Sequence, residues 1–295
     1  MPAFVLPFGG EAAALAVAGG KGSSLSRMYQ AEFPVPPGYI VTTHAYRTFV
    51  QANGLQEELI DLARSYAGTS ATRLIAIRQI FARGAIPAAV EEAITQAASD
   101  LKRRTACQPL VVRSSATAED LPGASFAGQL DSYLNVRGRT ALLEAVQRCW
   151  SSLWTVRALD YCARQGVDPS AIGLALVVQV MVPAEASGIM FTANPISGVR
   201  GEISIDGAWG LGEAIVGGLV TPDHVVFDKA TQVVKQMTIA DKVVMTTPAP
   251  IGTIERAVEH VRRHAQVLEA SKAIELARLG AKIEGYFGGS SQSRV

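Results

Sequence analysis

The chain has 295 residues, 48% of them apolar and 18% charged, with a formal net charge of +1. This is the composition of a globular protein with material for one large domain or two lobes. A charge so near zero excludes the broad cationic face that a nucleic-acid backbone demands, and no apolar run is long enough to cross a bilayer, so neither nucleic acid nor membrane is an expected partner.

The N-terminal stretch lacks a basic segment, and Pro7, Gly9, Gly10 and Glu11 break its apolar run, so it does not read as a signal peptide. Cys107, Cys149 and Cys162 show no metal-ligand spacing, and their odd number fits a reducing compartment. The expected location is the cytoplasm. Next comes "AGGKGSSLSRM" (18–28), a glycine pair and Lys21 at what reads as a helix start. Amides freed by glycine, a helix N-terminus and an ammonium together favour an anion. The glycine spacing of a Walker loop is absent, and a plain turn explains the same residues.

Helices are expected from about Ala45 to Tyr66 and from Arg73 to Thr105, the second interrupted at Gly84 and Pro87. The basic clusters Lys102–Arg104 and Arg262–Arg263 read as solvated helix faces. The apolar strand "PLVVRSS" (109–115) carries Arg113 at its end, and "GASFAGQ" (123–129) follows in a loop of small residues. Two readings stand side by side here. Arg113 could hold a phosphate bidentately under a loop that closes over it, or it could pair with Glu119 or Asp120 in an exposed Ω-loop.

A helix is expected from Thr140 to Arg164, ended by Gly166, with Leu142, Val146, Trp150, Leu153 and Leu159 as its core stripe. Strands are expected at 174–182, 188–195 and 201–210. Residues 223–237 read as a hairpin turning at Asp228–Thr231, and a seam falls at Pro183–Gly188. A third glycine-rich place, "DGAWGLGEAIVGGLVTPD" (206–223), contains Glu213, which could accept from a ribose or steady a cation. Packing turns account for its glycines almost as well. A last helix is expected from Ile254 to Ile283.

Taken together, "GGKGSSL", "PVPPGYIVTTHAY", "VVRSSATAEDLPGASFAGQLDSYLNV", "SGIMFTANPISG" and "GAWGLGEAIVGGLVTPD" resemble the N-terminal ATP-binding domain of phosphoenolpyruvate synthase (pyruvate, water dikinase). Rifampicin phosphotransferase and pyruvate, phosphate dikinase share that domain. The resemblance covers nearly the whole chain and implies an α/β (α+β) ATP-grasp-like fold of two lobes, residues 1–183 and 184–295, using ATP and Mg²⁺. By matching position it makes Lys21 and Arg113 the cations that grip the phosphates, and Ser125, Phe126, Ala127, Gly128 and Gln129 the loop that covers them. It puts the strand end at Gln179, Met181 and Val182 against adenine, and Glu213 near the nucleoside.

In the resembled family the β-phosphate of ATP moves to a histidine on a separate swivelling domain, and then to pyruvate or a drug hydroxyl. No such histidine motif occurs here. His44, His224, His260 and His264 sit in other blocks and read as structural or surface residues. The C-terminal "GGSSQSRV" matches a family block at Gln292, Ser293 and Arg294, but the acidic metal-binding strand expected before it is absent. The second lobe is therefore expected to be truncated, with Gln292 as a metal ligand, Glu284 as a substitute for the missing carboxylate and Arg294 on the nucleotide. The alternative expectation is a non-catalytic nucleotide-binding fragment, or one half of a split enzyme whose partner carries the phosphohistidine domain.

Overall fold

The computed structural model describes residues 2–10, 13–65, 71–105, 108–119, 126 and 128–288. Its internal contacts divide the chain into two units, Met1–Val182 and Pro183–Val295.

The first unit is built on β1 (Val5–Pro7), β2 (Gly38–Val41), β3 (Leu110–Ala116), β4 (Ser132–Val136) and β5 (Leu174–Val180), in the order β1-β2-β5-β3-β4 and antiparallel throughout. Its helices are α1 (Leu15–Gln30), α2 (Thr43–Ala52), α3 (Gln56–Ser65), α4 (Ala71–Arg83), α5 (Ala88–Arg104), α6 (Gly138–Ser151) and α7 (Val156–Gln165). Side chains alternate across a strand, and the sheet uses both faces. Tyr39, Val41, Val112, Leu174, Leu176 and Val178 join one core with Phe49, Phe81 and Trp150 of α2, α4 and α6. Ile40, Ala175 and Val177 pack on the opposite face with Ala18 of α1. Among the described helices, α1 covers the face on which the odd-numbered residues of β3 and β5 stand.

The second unit holds the four-stranded antiparallel sheet β6 (Ala186–Phe191), β7 (Glu202–Trp209), β8 (Asp223–Asp228) and β9 (Val233–Thr238), in that order, with the short helix α8 (Glu213–Val216) between β7 and β8. A separate hairpin, β10 (Val244–Pro248) and β11 (Thr253–Ala257), touches the end of β7 where Leu211 N–H donates to the Thr246 carbonyl. The short α9 (His260–Arg263) leads to α10 (Ala270–Tyr286), whose Ala273 and Ala277 pack on Met190, Ile203, Ile205, Val225 and Phe227.

The chain is therefore a mixed α/β protein with antiparallel sheets. The strands expected at 109–115, 174–182, 188–195, 201–210 and 223–237 form at those places, and β1, β2, β4, β10 and β11 lie outside the expectations. The helix expected over Ala45–Tyr66 is two, α2 and α3, because Gly54 takes a left-handed φ of 66° between them. The helix expected over Thr140–Arg164 is also two: a tight turn at Ser152–Trp154 ends α6, and Thr155 caps α7 by accepting from Ala158 N–H. The largest correction is at Ile254–Ile283. Its first residues are β11, α9 follows, and the long helix begins only at Ala270. Among the described residues no helix is long and apolar enough to cross a membrane.

Candidate anion-binding site

Gly19 sets the site. With φ 67° and ψ 173° it occupies a backbone region open only to glycine, so it breaks α1 and the helical conformation resumes at Gly20. A Cβ at Gly19 would lie 2.1 Å from the Ser115 carbonyl oxygen, so α1 and β3 approach at the kink too closely for any side chain there. Ser115 answers the new helix start. Its hydroxyl donates to the Ala18 carbonyl (2.8 Å) and accepts the Gly22 N–H (2.9 Å). One of the orphan amides at the start of any helix is thereby satisfied by a strand nearly a hundred residues away.

Glu119, in the turn just past β3, satisfies a second. Its Oε2 accepts the Lys21 N–H at 3.1 Å, and its Oε1 accepts from Lys21 Nζ at 2.9 Å. The same ammonium donates to the Ser114 carbonyl at 2.5 Å. The ion pair is largely sheltered, with the Glu119 side chain 10% exposed and that of Lys21 29%.

Arg113 stands two residues before Ser115 and pairs in register with Val177, whose side chain packs with α1. The pleat therefore carries Arg113 to the same face as Ser115 and α1. Burial lowers the guanidinium pKa from its ordinary value, and the charge of Glu119 works against that shift. Among the described residues nothing hydrogen-bonds or ion-pairs with this guanidinium. Lys21, Arg113 and a helix N-terminus thus lie on one sheet face with the Glu119 carboxylate, and chemically that arrangement accepts an anion. Of the two carboxylates open to Arg113, Glu119 bonds Lys21 through both oxygens, and Asp120 lies outside the described residues.

The other expected residues are placed as follows. Gln179 is on the same face as Arg113, but its amide donates to the Pro36 carbonyl (3.0 Å). Met181 N–H donates to the Pro109 carbonyl (2.8 Å), and the buried sulfur receives Asn135 N–H (3.1 Å), so Met181 is used within the unit. Val182 is 53% exposed. Phe126 is buried edge-on against Tyr161, with ring centroids 4.7 Å apart and its own φ at 42°. It anchors the loop end, with Gln129 N–H on its carbonyl (3.1 Å) and Gly128 at φ 69° between them. Ser125 and Ala127 lie outside the described residues, as do Gln292 and Arg294.

Glu213 opens α8 in the second unit. Glu284 is ion-paired with Lys229 at 2.6 Å, which ties α10 to the turn after β8. Among the described residues no three His, Cys, Asp or Glu side chains converge as metal ligands. Glu284, expected to stand in for a metal carboxylate, bonds Lys229, and its expected companion Gln292 lies outside the described residues. Of the histidines, His44 stacks on Phe4 and His224 pairs with Asp206 at 2.7 Å. A hollow of about 250 Å³ between α3 and α7, lined by Arg64, Leu159 and Cys162 among others, contains neither Lys21 nor Arg113.

Sequence reasoning missed the parts played by Ser115, Glu119 and the Ser114 carbonyl. Glu119 was visible as a carboxylate near Arg113, but its bond to Lys21 spans 98 residues, and no local spacing announces a contact of that kind.

Residues 15–292 match the family described as pyruvate phosphate dikinase, AMP/ATP-binding domain. The chain is similar to a probable phosphoenolpyruvate synthase of Pyrococcus abyssi, with 40% identity covering 92% of this chain and 38% of that protein. The phosphoenolpyruvate synthase of Pyrococcus furiosus is 39% identical, over 92% of this chain and 39% of its own length. A Streptomyces rifampicin phosphotransferase is 43% identical, over 94% of this chain and 32% of that protein. The chain thus spans two fifths or less of each of these relatives.

Proposed function

Because the chain belongs to the pyruvate phosphate dikinase AMP/ATP-binding domain family, we propose that it holds ATP by its polyphosphate tail at Lys21, Arg113 and the helix start after Gly19. The observation that carries this reading is the convergence of those three groups on one face of the first unit's sheet. Such a site works by position and charge. The lysine ammonium, the arginine fork and the backbone amides neutralise oxygens that gain charge as a phosphoryl group departs, and they do so without having to reorganise.

In this reading residues 1–183 and 184–295 are the two lobes of an ATP-grasp-like fold, and the loop anchored by Phe126 covers the phosphates. Gln179 and the strand end up to Val182 lie toward the base, and Glu213 toward the nucleoside. The phosphoryl group passes to a histidine on a swivelling domain outside this chain, and from there to an acceptor such as pyruvate or a drug hydroxyl. Titration calorimetry with ATP on the wild type and on Arg113→Ala tests the grip. The wild type binds, and the variant binds at least about tenfold more weakly, a loss of about 1.4 kcal/mol. Equal affinities, or no binding by the wild type, end this reading.

One observation favours a second reading, a nucleotide-binding module without catalysis: Glu284, expected to replace the missing metal carboxylate, is ion-paired with Lys229 at 2.6 Å. Release of AMP from ATP on adding a polypeptide that carries the phosphohistidine domain separates the two. Its absence, with ATP binding intact, favours the non-catalytic module.

A further inference from the structure

Among the described residues Glu119 is the carboxylate in the grip, and it is arranged as an anion guest would be. One oxygen accepts the Lys21 amide at the helix start and the other accepts the Lys21 ammonium. These are the donors a phosphate would be expected to take first at such a place: a backbone N–H at a helix N-terminus and a lysine beside it. Arg113 is half-buried on the same face, its guanidinium without a hydrogen bond from the described residues and its pKa lowered by desolvation, against which the Glu119 charge works. Displacing the Glu119 carboxylate offers a guest both cations and a helix start. Glu119 also lies outside the sheet, in the turn Thr117–Glu119 whose last N–H donates to the Ala116 carbonyl, so its side chain can leave without breaking a strand.

We propose that Glu119 is a built-in stand-in for the guest's phosphate: it holds Lys21 and the helix start in the empty protein, and a polyphosphate binds by exchanging places with it. The consequence is selectivity. A guest must repay the lost ion pair, so a single weak anion does not open the grip, whereas a tail that reaches Lys21 and Arg113 together does. This rests on the reading that the site binds a nucleotide's phosphates.

The test uses inorganic tripolyphosphate and sulfate as probes, titrated calorimetrically into the wild type, Glu119→Gln and Lys21→Met/Glu119→Gln. Glu119→Gln keeps the size and one acceptor but removes the charge. Its expected effect is an affinity for tripolyphosphate about tenfold higher than wild type, measurable sulfate binding, and a lower melting temperature without ligand. The affinity gain is lost in the double variant, because the two residues act as one unit. In the wild type, the Glu119 side-chain carboxyl ¹³C resonance shifts as tripolyphosphate saturates the protein, a readout that does not depend on any variant folding. Tripolyphosphate binding by the wild type with Glu119→Gln no tighter, or an unmoved Glu119 resonance at saturation, overturns this proposal and leaves the nucleotide reading standing. No binding of ATP or tripolyphosphate by either protein overturns the nucleotide reading, and this proposal with it.

Discussion

A single methyl group on Gly19 would collide with the Ser115 carbonyl at 2.1 Å and would have to adopt φ 67° with ψ 173°. Both penalties act at the point where α1 restarts, so Gly19→Ala is expected to cost about 3 kcal/mol or more of stability. It should also weaken ATP binding by displacing the amide of Lys21, and urea unfolding with parallel calorimetry measures both effects. At the same scale, Lys21→Met leaves a sheltered carboxylate without its counter-charge. The expected loss is about 2 to 3 kcal/mol, and Lys21→Met/Glu119→Gln recovers part of it because the orphan charge is gone. A double variant no more stable than Lys21→Met would show that the ion pair is not what holds the helix start. The glycine pair and the lysine were legible in the sequence as a helix start with an affinity for anions. The caps were not, because Ser115 and Glu119 come from a strand and turn that only folding brings near.

Elements in the second unit are pinned by a pair no periodicity reveals. Lys242 is fully buried and donates to Asp223 Oδ1 at 2.5 Å, while Asp223 also accepts Ala240 N–H and Val267 N–H, both at 2.9 Å. One carboxylate thus fastens the start of β8 to the segments before β10 and before α10. Removing the cation strands a buried charge, so Lys242→Met is expected to destabilise this unit by about 3 to 5 kcal/mol. Urea melts followed by Trp209 fluorescence report it, since Trp150 and Trp154 belong to the first unit. The segment 254–283 shows why pattern alone fails here. Its Ala, Glu, Arg and Lys content suits a helix from Ile254, but Thr253–Ala257 pairs with Val244–Pro248 as a hairpin, and the Thr253–Pro248 end closes through Gly252 at φ 65°. Pairing with a neighbouring strand overrides a weak local preference.

At the scale of the whole molecule, the first unit's core carries a pH limit. Burial pushes the Cys149 thiol up to about 12 from an ordinary 9.0, more than its hydrogen bond with Ser114 lowers it. The unfolded chain releases that proton above about pH 9 while the folded one retains it. The stabilisation is therefore complete below pH 9 and is lost as the pH rises toward 12, at up to about 1.4 kcal/mol per pH unit for this thiol. Buried Tyr39 and Tyr46, whose phenols are also raised by desolvation, steepen the fall at the alkaline end. Cys149→Ala should show a shallower decline than wild type between pH 9 and 11 in denaturant melts. Equal slopes would mean that the thiol ionises in place.

What the sequence determined by itself is local: the apolar strand that carries Arg113, the glycine break before Lys21, the β8–β9 hairpin, and motif blocks long enough to carry a family resemblance. These follow from side-chain period, backbone freedom and residue type, which act over a few neighbours. Tertiary structure alone decided that Arg113 and Ser115 stand on the α1 face, that Lys21 is held by Glu119, that Gln179 and Met181 are used within the unit, and that Glu284 belongs to Lys229. Each of those outcomes depends on strand pairing and on charges meeting across tens of residues, where Coulomb attraction and hydrogen bonding act through space rather than along the chain.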